Sequence, residues 1–186
     1  PVTSKTYLEV INLLKKMKYK LPFSVENGAA NYIPINYSKD YLYRKIVNPY
    51  AVKKNAIKKI LNKSIFKEYL RNLKFIENLS ILEQKNITKL NSKQLKEFNS
   101  REYSIPVLIT GDKYFKKKFK ETLFKYNLKI AFGGKLNNIS GLHSKVDSMY
   151  FFTNQYKVKY RTRKLITTSL GDSQNDIEIL NNSNYS

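Results

Sequence analysis

Two aspartates near the C-terminal end of the sequence are spaced for work on a charged ligand. Asp172 follows Gly171 after a short apolar run, and Asp176 comes four residues later, in the stretch TTSLGDSQNDIEIL. A helix beginning here would place both carboxylates at the end of a strand, where ligands bind in open α/β sheets. Carboxylate oxygens suit Mg²⁺, and Ser173 and Asn175 could orient them. A helix N-cap with a favourable acid is the competing interpretation.

Hydroxyl groups and lysines elsewhere could bind phosphate. The stretch TSKT places Thr3, Ser4 and Lys5 where a predicted strand passes into a helix, and helix N-terminal amides with a hydroxyl bind anions. Lys145 stands at the predicted start of another helix, as a point charge that could pair with phosphate. A plain N-cap and an ordinary surface lysine are the alternatives. His143 is the only histidine and cysteine is absent, which argues against a zinc site and a serine triad.

The charge of the chain is strongly positive, but its composition weakens the obvious interpretation. The formal net charge is +21, and only five of the 35 cationic residues are arginine, beside 20 asparagines. Lysine and asparagine enrichment is typical of an AT-rich genome, whereas arginine is the better reader of phosphates and bases. We therefore expect compositional drift rather than a polyanion-binding surface, and no nucleic-acid partner.

The length of the chain, its longest apolar run and its cysteine count limit the number of domains and the cellular compartment. The 186 residues suit one domain or two small ones. No apolar run approaches about 18 residues, so no membrane span is predicted. The absence of cysteine is compatible with a reducing compartment, and we predict a cytoplasmic location.

Strands alternate with helices along the chain, which favours an α/β architecture. Helical spacing is predicted over 3–20, capped by Thr3 or Ser4, and a hairpin is predicted around the turn at Asn27 and Gly28. The further predicted helices cover 48–63, 64–79, 90–104, 112–127, 144–157 and 173–182, and the strands cover 105–110, 128–140 around Gly133-Gly134, and 164–172. The middle third differs in composition from both ends. This predicts one core from residues 1–27 and 141–186, with a domain inserted over 28–140.

The order of the motifs resembles the haloacid-dehalogenase-like phosphatases. The segments TSKT, VENGAA, REYS, a GG strand, a lysine at a helix start and GDSQND occur in that order. Within that superfamily the chain is similar to the mannosyl-3-phosphoglycerate phosphatases, whose cap is inserted between the second and third motifs. The resemblance implies an incomplete Rossmannoid parallel-sheet core with an inserted α+β cap. It also implies magnesium-dependent hydrolysis of a phosphorylated sugar, mannosyl-3-phosphoglycerate, to mannosylglycerate and phosphate.

The resemblance assigns the phosphate-handling residues by position. Thr3 matches the second-motif hydroxyl that holds the transferring phosphoryl group, with Ser4 and Lys5 beside it. Lys145 matches the third-motif lysine, which neutralises charge on the phosphate. The family reads Asp-Lys-Gly there, and this chain reads Ser-Lys-Val from Ser144 onward, so the setting of the lysine has changed.

The resemblance also implies a substrate-binding set around the cap. Glu26, Asn27 and Gly28 match the exit from the core into the cap, near the substrate. Arg101 and Glu102 match a cap motif that is expected to face the sugar-glycerate portion.

The resemblance makes Asp172 a magnesium ligand and Asp176 a support of the metal site, but it also exposes a gap. The first motif of the family carries two aspartates one residue apart, the nucleophile and its general acid/base. No aspartates in this sequence have that spacing; they are Asp40, Asp112, Asp147, Asp172 and Asp176. We therefore expect that the chain is truncated at both ends, with the missing pair upstream of Pro1, and that it is inactive alone.

Two other functions stay open on the sequence. A degenerate relative could bind sugar phosphates or polyanions through its lysines without turnover. A related phosphatase of the same branch could act on sucrose phosphate or glucosyl-3-phosphoglycerate, because the cap decides the substrate.

Overall fold

The computed structural model describes residues 1–35, 40–132, 136–172 and 174–186 of the chain. The predicted Gly133-Gly134 junction and Ser173 lie outside these ranges. Within them the chain alternates between short strands and helices. None of the helices in the described ranges is both long and apolar enough to cross a membrane.

The N-terminal part builds a small antiparallel sheet beneath one helix. Its elements are α1 (Tyr7–Lys16), β1 (Phe23–Val25), β2 (Ala30–Pro34) and β3 (Tyr43–Val47), with strand order β1-β2-β3. Val10 and Leu14 of α1 pack with Phe23 and Tyr32 of the sheet, and all four are buried. Val2 joins the edge of β1 by a parallel bridge to Ser24. This bridge holds the chain terminus against the sheet.

The middle of the chain forms a second, four-stranded antiparallel sheet in the order β4-β5-β7-β6. Its elements are α2 (Lys54–Leu61), α3 (Lys67–Leu70), β4 (Leu73–Phe75), α4 (Ile81–Thr88), α5 (Ser92–Asn99), β5 (Ser104–Ile109), α6 (Lys113–Phe124), β6 (Leu128–Ala131) and β7 (Asn137–Gly141). One face of the sheet packs on α2 and α6 in the largest buried cluster. Because side chains alternate along a strand, the remaining residues of these strands lie on the opposite face of the sheet.

The C-terminal part supplies α7 (Lys145–Tyr160) and α8 (Ile177–Asn181). Val146 and Met149 of α7 pack with Ile179 of α8, and Val2 lies against this cluster. The two chain ends therefore meet through apolar contacts. Ser144 caps α7 reciprocally with Asp147, which explains why the helix begins at Lys145.

Several boundaries differ from the sequence-based predictions. The predicted helix over 64–79 is wrong in its second half, because Leu73–Phe75 pairs with β5 as strand β4. Strand β3 was not predicted, and the predicted strand over 164–172 is represented by one parallel bridge from Thr168 to Tyr185. Helix α1 is capped by Thr6 with Glu9, not by Thr3 or Ser4. Tertiary pairing decides these short segments more strongly than local periodicity does.

Candidate active site

A left-handed turn follows β1 and lies against the N-terminal segment. Glu26, Asn27 and Gly28 have φ values of 48°, 60° and 99°. Left-handed backbone is unfavourable for residues other than glycine, so the turn needs external support. The Glu26 amide donates to the carbonyl oxygen of Lys5 and the Asn27 amide to that of Thr3, both at 2.9 Å. These bonds fix the TSKT segment and the turn to each other.

The same turn is pressed against the start of α7. A Cβ atom added to Gly28 would lie 1.9 Å from the carbonyl oxygen of Ser144. Beside it, the hydroxyls of Ser24 and Ser148 are hydrogen-bonded at 2.8 Å and fully buried. The first turn of α7 and the turn after β1 therefore leave no room for a side chain between them.

A buried ion pair joins α7 to the C-terminal loop. Lys145 donates to the carboxylate of Asp176, and both residues are buried. A Cβ atom added to Gly171 would lie 2.4 Å from the Cβ of Asp176, so the loop closes tightly on the carboxylate. The side chain of Asn175 donates to that of Asn27 at 3.3 Å. Because a buried charge is tolerated only when it is paired, Asp176 fixes the position of the Lys145 ammonium group.

The two aspartates of this loop have different environments. Asp172 is exposed, whereas Asp176 is buried against Lys145. No group of three or more carboxylate, histidine or cysteine side chains that could hold a metal exists among the described residues. Magnesium requires about six oxygen ligands, so these residues fit only a part of a magnesium site.

The carboxylate of Glu26 connects the turn to the segment REYS. It is buried and accepts hydrogen bonds from the amides of Glu102 at 2.9 Å and Tyr103 at 3.0 Å. The hydroxyl of Ser104 donates to the same carboxylate at 2.6 Å. Three donors from one segment thus converge on one side chain from another, 76 to 78 residues away in sequence.

Arg101 completes this cluster from the other side. Its Nη1 donates to the carbonyl oxygen of Ser4 at 3.1 Å and to the hydroxyl of Ser104 at 3.2 Å. Its guanidinium lies 4.5 Å from the ring centroid of Phe98. Burial lowers the pKa of Arg101, and the nearby Glu26 opposes this shift. The arginine therefore holds the TSKT segment against the segment that begins β5.

Glu102 is directed elsewhere. Its carboxylate pairs with Lys45 of β3 at 2.6 Å, and the Lys45 ammonium lies 5.0 Å from the ring centroid of Tyr103. Burial alone would lower the pKa of Lys45, but hydrogen bonds to Glu102 and Tyr103 hold it above its ordinary value. The backbone of Glu102 is thus bound to Glu26, while its side chain is bound to the first sheet.

The curated proteins that are similar in sequence to this chain include two phosphatases with related names. No family model matches the chain. A curated glucosyl-3-phosphoglycerate/mannosyl-3-phosphoglycerate phosphatase of Persephonella marina is 29% identical, over 96% of this chain and 67% of its own length. A mannosyl-3-phosphoglycerate phosphatase of Pyrococcus furiosus is 27% identical, over 94% of this chain and 70% of its own length.

Comparison with solved structures identifies proteins with the same fold. A haloacid dehalogenase-like hydrolase of B. subtilis superposes with a TM-score of 0.57 at 13% identity, over 98% of this chain and 73% of that one. A protein of Streptococcus mutans superposes with a TM-score of 0.59 at 16% identity, over 100% and 72%. The chain therefore has the fold of a haloacid dehalogenase-like hydrolase. Its predicted α/β fold class with a core and a cap is confirmed.

The predicted site residues of this chain fall into two sets. Ten of them are linked through backbone or side chain: Thr3, Ser4, Lys5, Glu26, Asn27, Gly28, Arg101, Glu102, Lys145 and Asp176. Lys5 and Glu102 take part through their backbone only, because the side chain of Lys5 pairs with Glu9 at 3.6 Å and that of Glu102 pairs with Lys45. Asp172 is exposed. The functional roles of all eleven, and the division at residues 27 and 141, stay predictions.

Three residues of this network were not predicted from the sequence. Ser104 binds Glu26, Ser148 binds Ser24, and His143 binds the backbone of Glu26. Ser104 could have been predicted, because it belongs to the segment REYS. Its hydroxyl lies three residues after Arg101 and accepts a hydrogen bond from that side chain. Ser148 and His143 carry no local signal, since their partners lie 124 and 117 residues away.

His143 is the one titratable group here with a clear pH consequence. It is fully buried, and its Nε2 donates to the carbonyl oxygen of Glu26 at 3.0 Å. Burial, together with the positive charge of Lys129, lowers the pKa of His143 from 6.5 to about 4. The imidazole is therefore neutral in the folded chain at neutral pH.

This shift makes stability depend on pH in a defined window. Between pH 6.5 and about 4 the unfolded chain binds a proton at His143 that the folded chain does not, so the free energy of unfolding should fall as the pH falls. The loss from this group should reach about 3 kcal/mol. Urea unfolding of the parent and of His143→Gln, which retains a side-chain N–H donor, measures it as a difference. Parallel pH profiles of the two proteins would contradict the assignment.

Proposed function

We propose that this chain belongs to a phosphatase that hydrolyses a sugar phosphate ester, with mannosyl-3-phosphoglycerate as substrate and mannosylglycerate and phosphate as products. The observation that carries the proposal is the buried pair of Lys145 and Asp176, placed beside the turn that is bonded to Thr3. The names of the curated relatives support the substrate. The first of those names also includes the glucosyl ester, which we propose as a second substrate.

Lys145 and Thr3 would handle the phosphoryl group. The ammonium of Lys145 is held by Asp176 and would stabilise negative charge that develops on the phosphoryl oxygens. The hydroxyl oxygen of Thr3 accepts from the amide of Lys5 at 3.3 Å, which leaves its O–H to donate to a phosphoryl oxygen. The backbone of Thr3 is held in place, because its carbonyl oxygen accepts from the amide of Asn27.

We propose a magnesium requirement for the reaction. The exposed carboxylate of Asp172 would be a direct ligand, and Asp176 would support the site from behind, through its contact with Gly171. When bound, the ion would supply positive charge to the phosphate. Two carboxylates do not complete its coordination, so further oxygen ligands are needed.

The 186-residue chain alone is proposed to lack turnover. The resemblance places an aspartate pair at the reacting phosphorus, and no two aspartates of this sequence are one residue apart. The same observation favours a second candidate function, in which the chain binds sugar phosphates without hydrolysing them. We also infer a cytoplasmic location and no nucleic-acid partner, supported by the absence of cysteine and the five arginines.

Replacing Lys145 tests the proposal. Calorimetric titration of the chain with inorganic phosphate should show binding that Lys145→Met weakens by about 10- to 100-fold, because a charge-assisted contact is lost. Lys145→Arg should retain most of the affinity, and Lys93→Met, at an exposed position on α5, should change nothing. A release assay with Mg²⁺ and mannosyl-3-phosphoglycerate should show no hydrolysis.

The outcomes separate the two parts of this proposal. Equal phosphate affinity in the parent and in Lys145→Met, both folded by thermal melting, would show that phosphate does not bind at this lysine. Magnesium-dependent hydrolysis by the 186-residue chain would contradict the need for the absent aspartate pair, while leaving the phosphatase assignment intact.

A further inference from the structure

The four-stranded sheet has one apolar face and one face that is polar at one end. Ile105, Ile130 and Ile139 are buried in the cluster with α2 and α6. Because side chains alternate along a strand, their sequence neighbours lie on the opposite face. The far end of that opposite face is covered by α5, whose Leu95 packs in a cluster with Leu108. The other end of that face, here called the near end, carries Ser104 and Ser140, which are buried.

Three polar residues form a row across this near end. Ser104 of β5 is paired in register with Ser140 of β7, and Ser140 with Lys129 of β6. Directly paired residues of neighbouring strands have side chains on the same face, about 5 Å apart. Ser104 bonds to Glu26, so this row faces the turn at residues 26–28. That turn is bonded to Thr3 and packed against the start of α7. Thr3, together with Lys145 at the start of α7, is called the candidate phosphate site below.

Lys129 is the charged member of the row. Its ammonium makes no ion pair within 4 Å in the described parts of the chain, although it is half-buried. Burial lowers its pKa, opposed by Glu178 and Asp147. The Oδ2 atom of Asp147 accepts from the amide of Ser144 at 2.7 Å and from the side-chain amide of Asn48 at 3.1 Å. A partly desolvated cation thus lies near the first turn of α7, without a direct anionic partner.

Asn138 adds an unsatisfied acceptor next to this cation. It lies on β7 two residues before Ser140, so it is the diagonal neighbour of Lys129 on the same face. Its Oδ1 is buried, and no donor reaches it within the described residues. Buried polar atoms are normally hydrogen-bonded, so a ligand hydroxyl placed beside Lys129 would satisfy it.

We infer that Lys129 recognises the carboxylate of the substrate and that Asn138 accepts from a sugar hydroxyl beside it, while Thr3 and Lys145 hold the phosphate. This inference rests on the proposed function, whose substrate is a phosphoglycerate ester and therefore has one phosphate and one carboxylate. Lys129 on the sheet face would pair with the carboxylate, and Lys145 at the start of α7 would pair with the phosphate. A phosphate ester without a carboxylate would use only the Lys145 end.

The test compares two small probes on the 186-residue chain. 3-Phosphoglycerate has both anionic groups, and glycerol 3-phosphate lacks the carboxylate. Calorimetry should show that the parent binds 3-phosphoglycerate about 10-fold more tightly. Lys129→Met should abolish this preference and leave the affinity for glycerol 3-phosphate unchanged. Lys125→Met, an exposed lysine at the end of α6, should behave as the parent.

Conservative variants guard against a general loss of structure. Lys129→Arg should keep most of the preference, and Asn138→Asp should weaken 3-phosphoglycerate selectively through charge repulsion. If Lys129→Met retains the preference, the inference is wrong and the proposed function is untouched. If the parent binds neither probe nor inorganic phosphate, the proposed function is wrong, and the inference that rests on it is wrong as well.

Discussion

Replacing Gly28 with alanine should lower the free energy of unfolding by about 3–5 kcal/mol. The new Cβ would lie 1.9 Å from the carbonyl oxygen of Ser144 and 2.6 Å from its carbonyl carbon. These are backbone atoms at the start of α7, so the clash cannot be relieved by a side-chain rotation. The φ of 99° adds strain for any residue with a Cβ. Urea unfolding followed by circular dichroism measures the loss.

Gly111→Ala is the matched control for this change. Gly111 also has a positive φ, 121°, but its added Cβ would meet only the side chain of Phe115, at 2.7 Å. That side chain can rotate, so the loss should be about 1–2 kcal/mol. Similar losses for the two variants would mean that backbone conformation, and not the contact between Gly28 and Ser144, limits stability.

Replacing Glu26 with alanine should have an effect of similar size, about 3–5 kcal/mol. The change removes the acceptor for the amides of Glu102 and Tyr103 and for the Ser104 hydroxyl. It also leaves the buried Arg101 guanidinium without its nearest opposing charge. Glu26→Gln should lose less, because it keeps the shape and part of the acceptor capacity. Chemical unfolding of each variant gives the values.

A double-mutant cycle separates the charge from the hydrogen bonds. If the unpaired charge of Arg101 accounts for much of the loss, Arg101→Met combined with Glu26→Ala should be less harmful than the sum of the single changes. Glu68→Ala, at an exposed position, should be nearly neutral. Strict additivity would show that Glu26 acts only through its neutral donors.

The helices with strong local signals were predictable from the sequence. The predicted helix over 144–157 is α7, and Asn91 caps α5 with Gln94 as its composition suggested. Such caps are local, since donor and acceptor lie three residues apart. Strand β4 was not predictable in this way, because its three residues follow a helical pattern and become a strand only through pairing with β5.

The candidate site was predictable as a set of residues but not as a geometry. The motif order assigned Lys145 and Asp176 to one site, yet nothing in the sequence showed that they form a buried pair. The side chain of Glu102 could not be placed, because its partner Lys45 belongs to β3, which the composition concealed. Arg101 shows the same limit. Its contact with the Ser4 carbonyl depends on how two distant segments meet.

The distances in sequence between bonded partners set an order for folding. The largest buried cluster uses residues from Ile57 to Ile139, so this region contains its own core. The N-terminal segment buries a cluster too, but the turn after β1 depends on distant partners. Ser24 bonds to Ser148, 124 residues later, and Gly28 packs on Ser144. During synthesis on the ribosome, the middle of the chain can therefore fold while the N-terminal segment still lacks its partners. The candidate phosphate site assembles last, only after α7 has emerged.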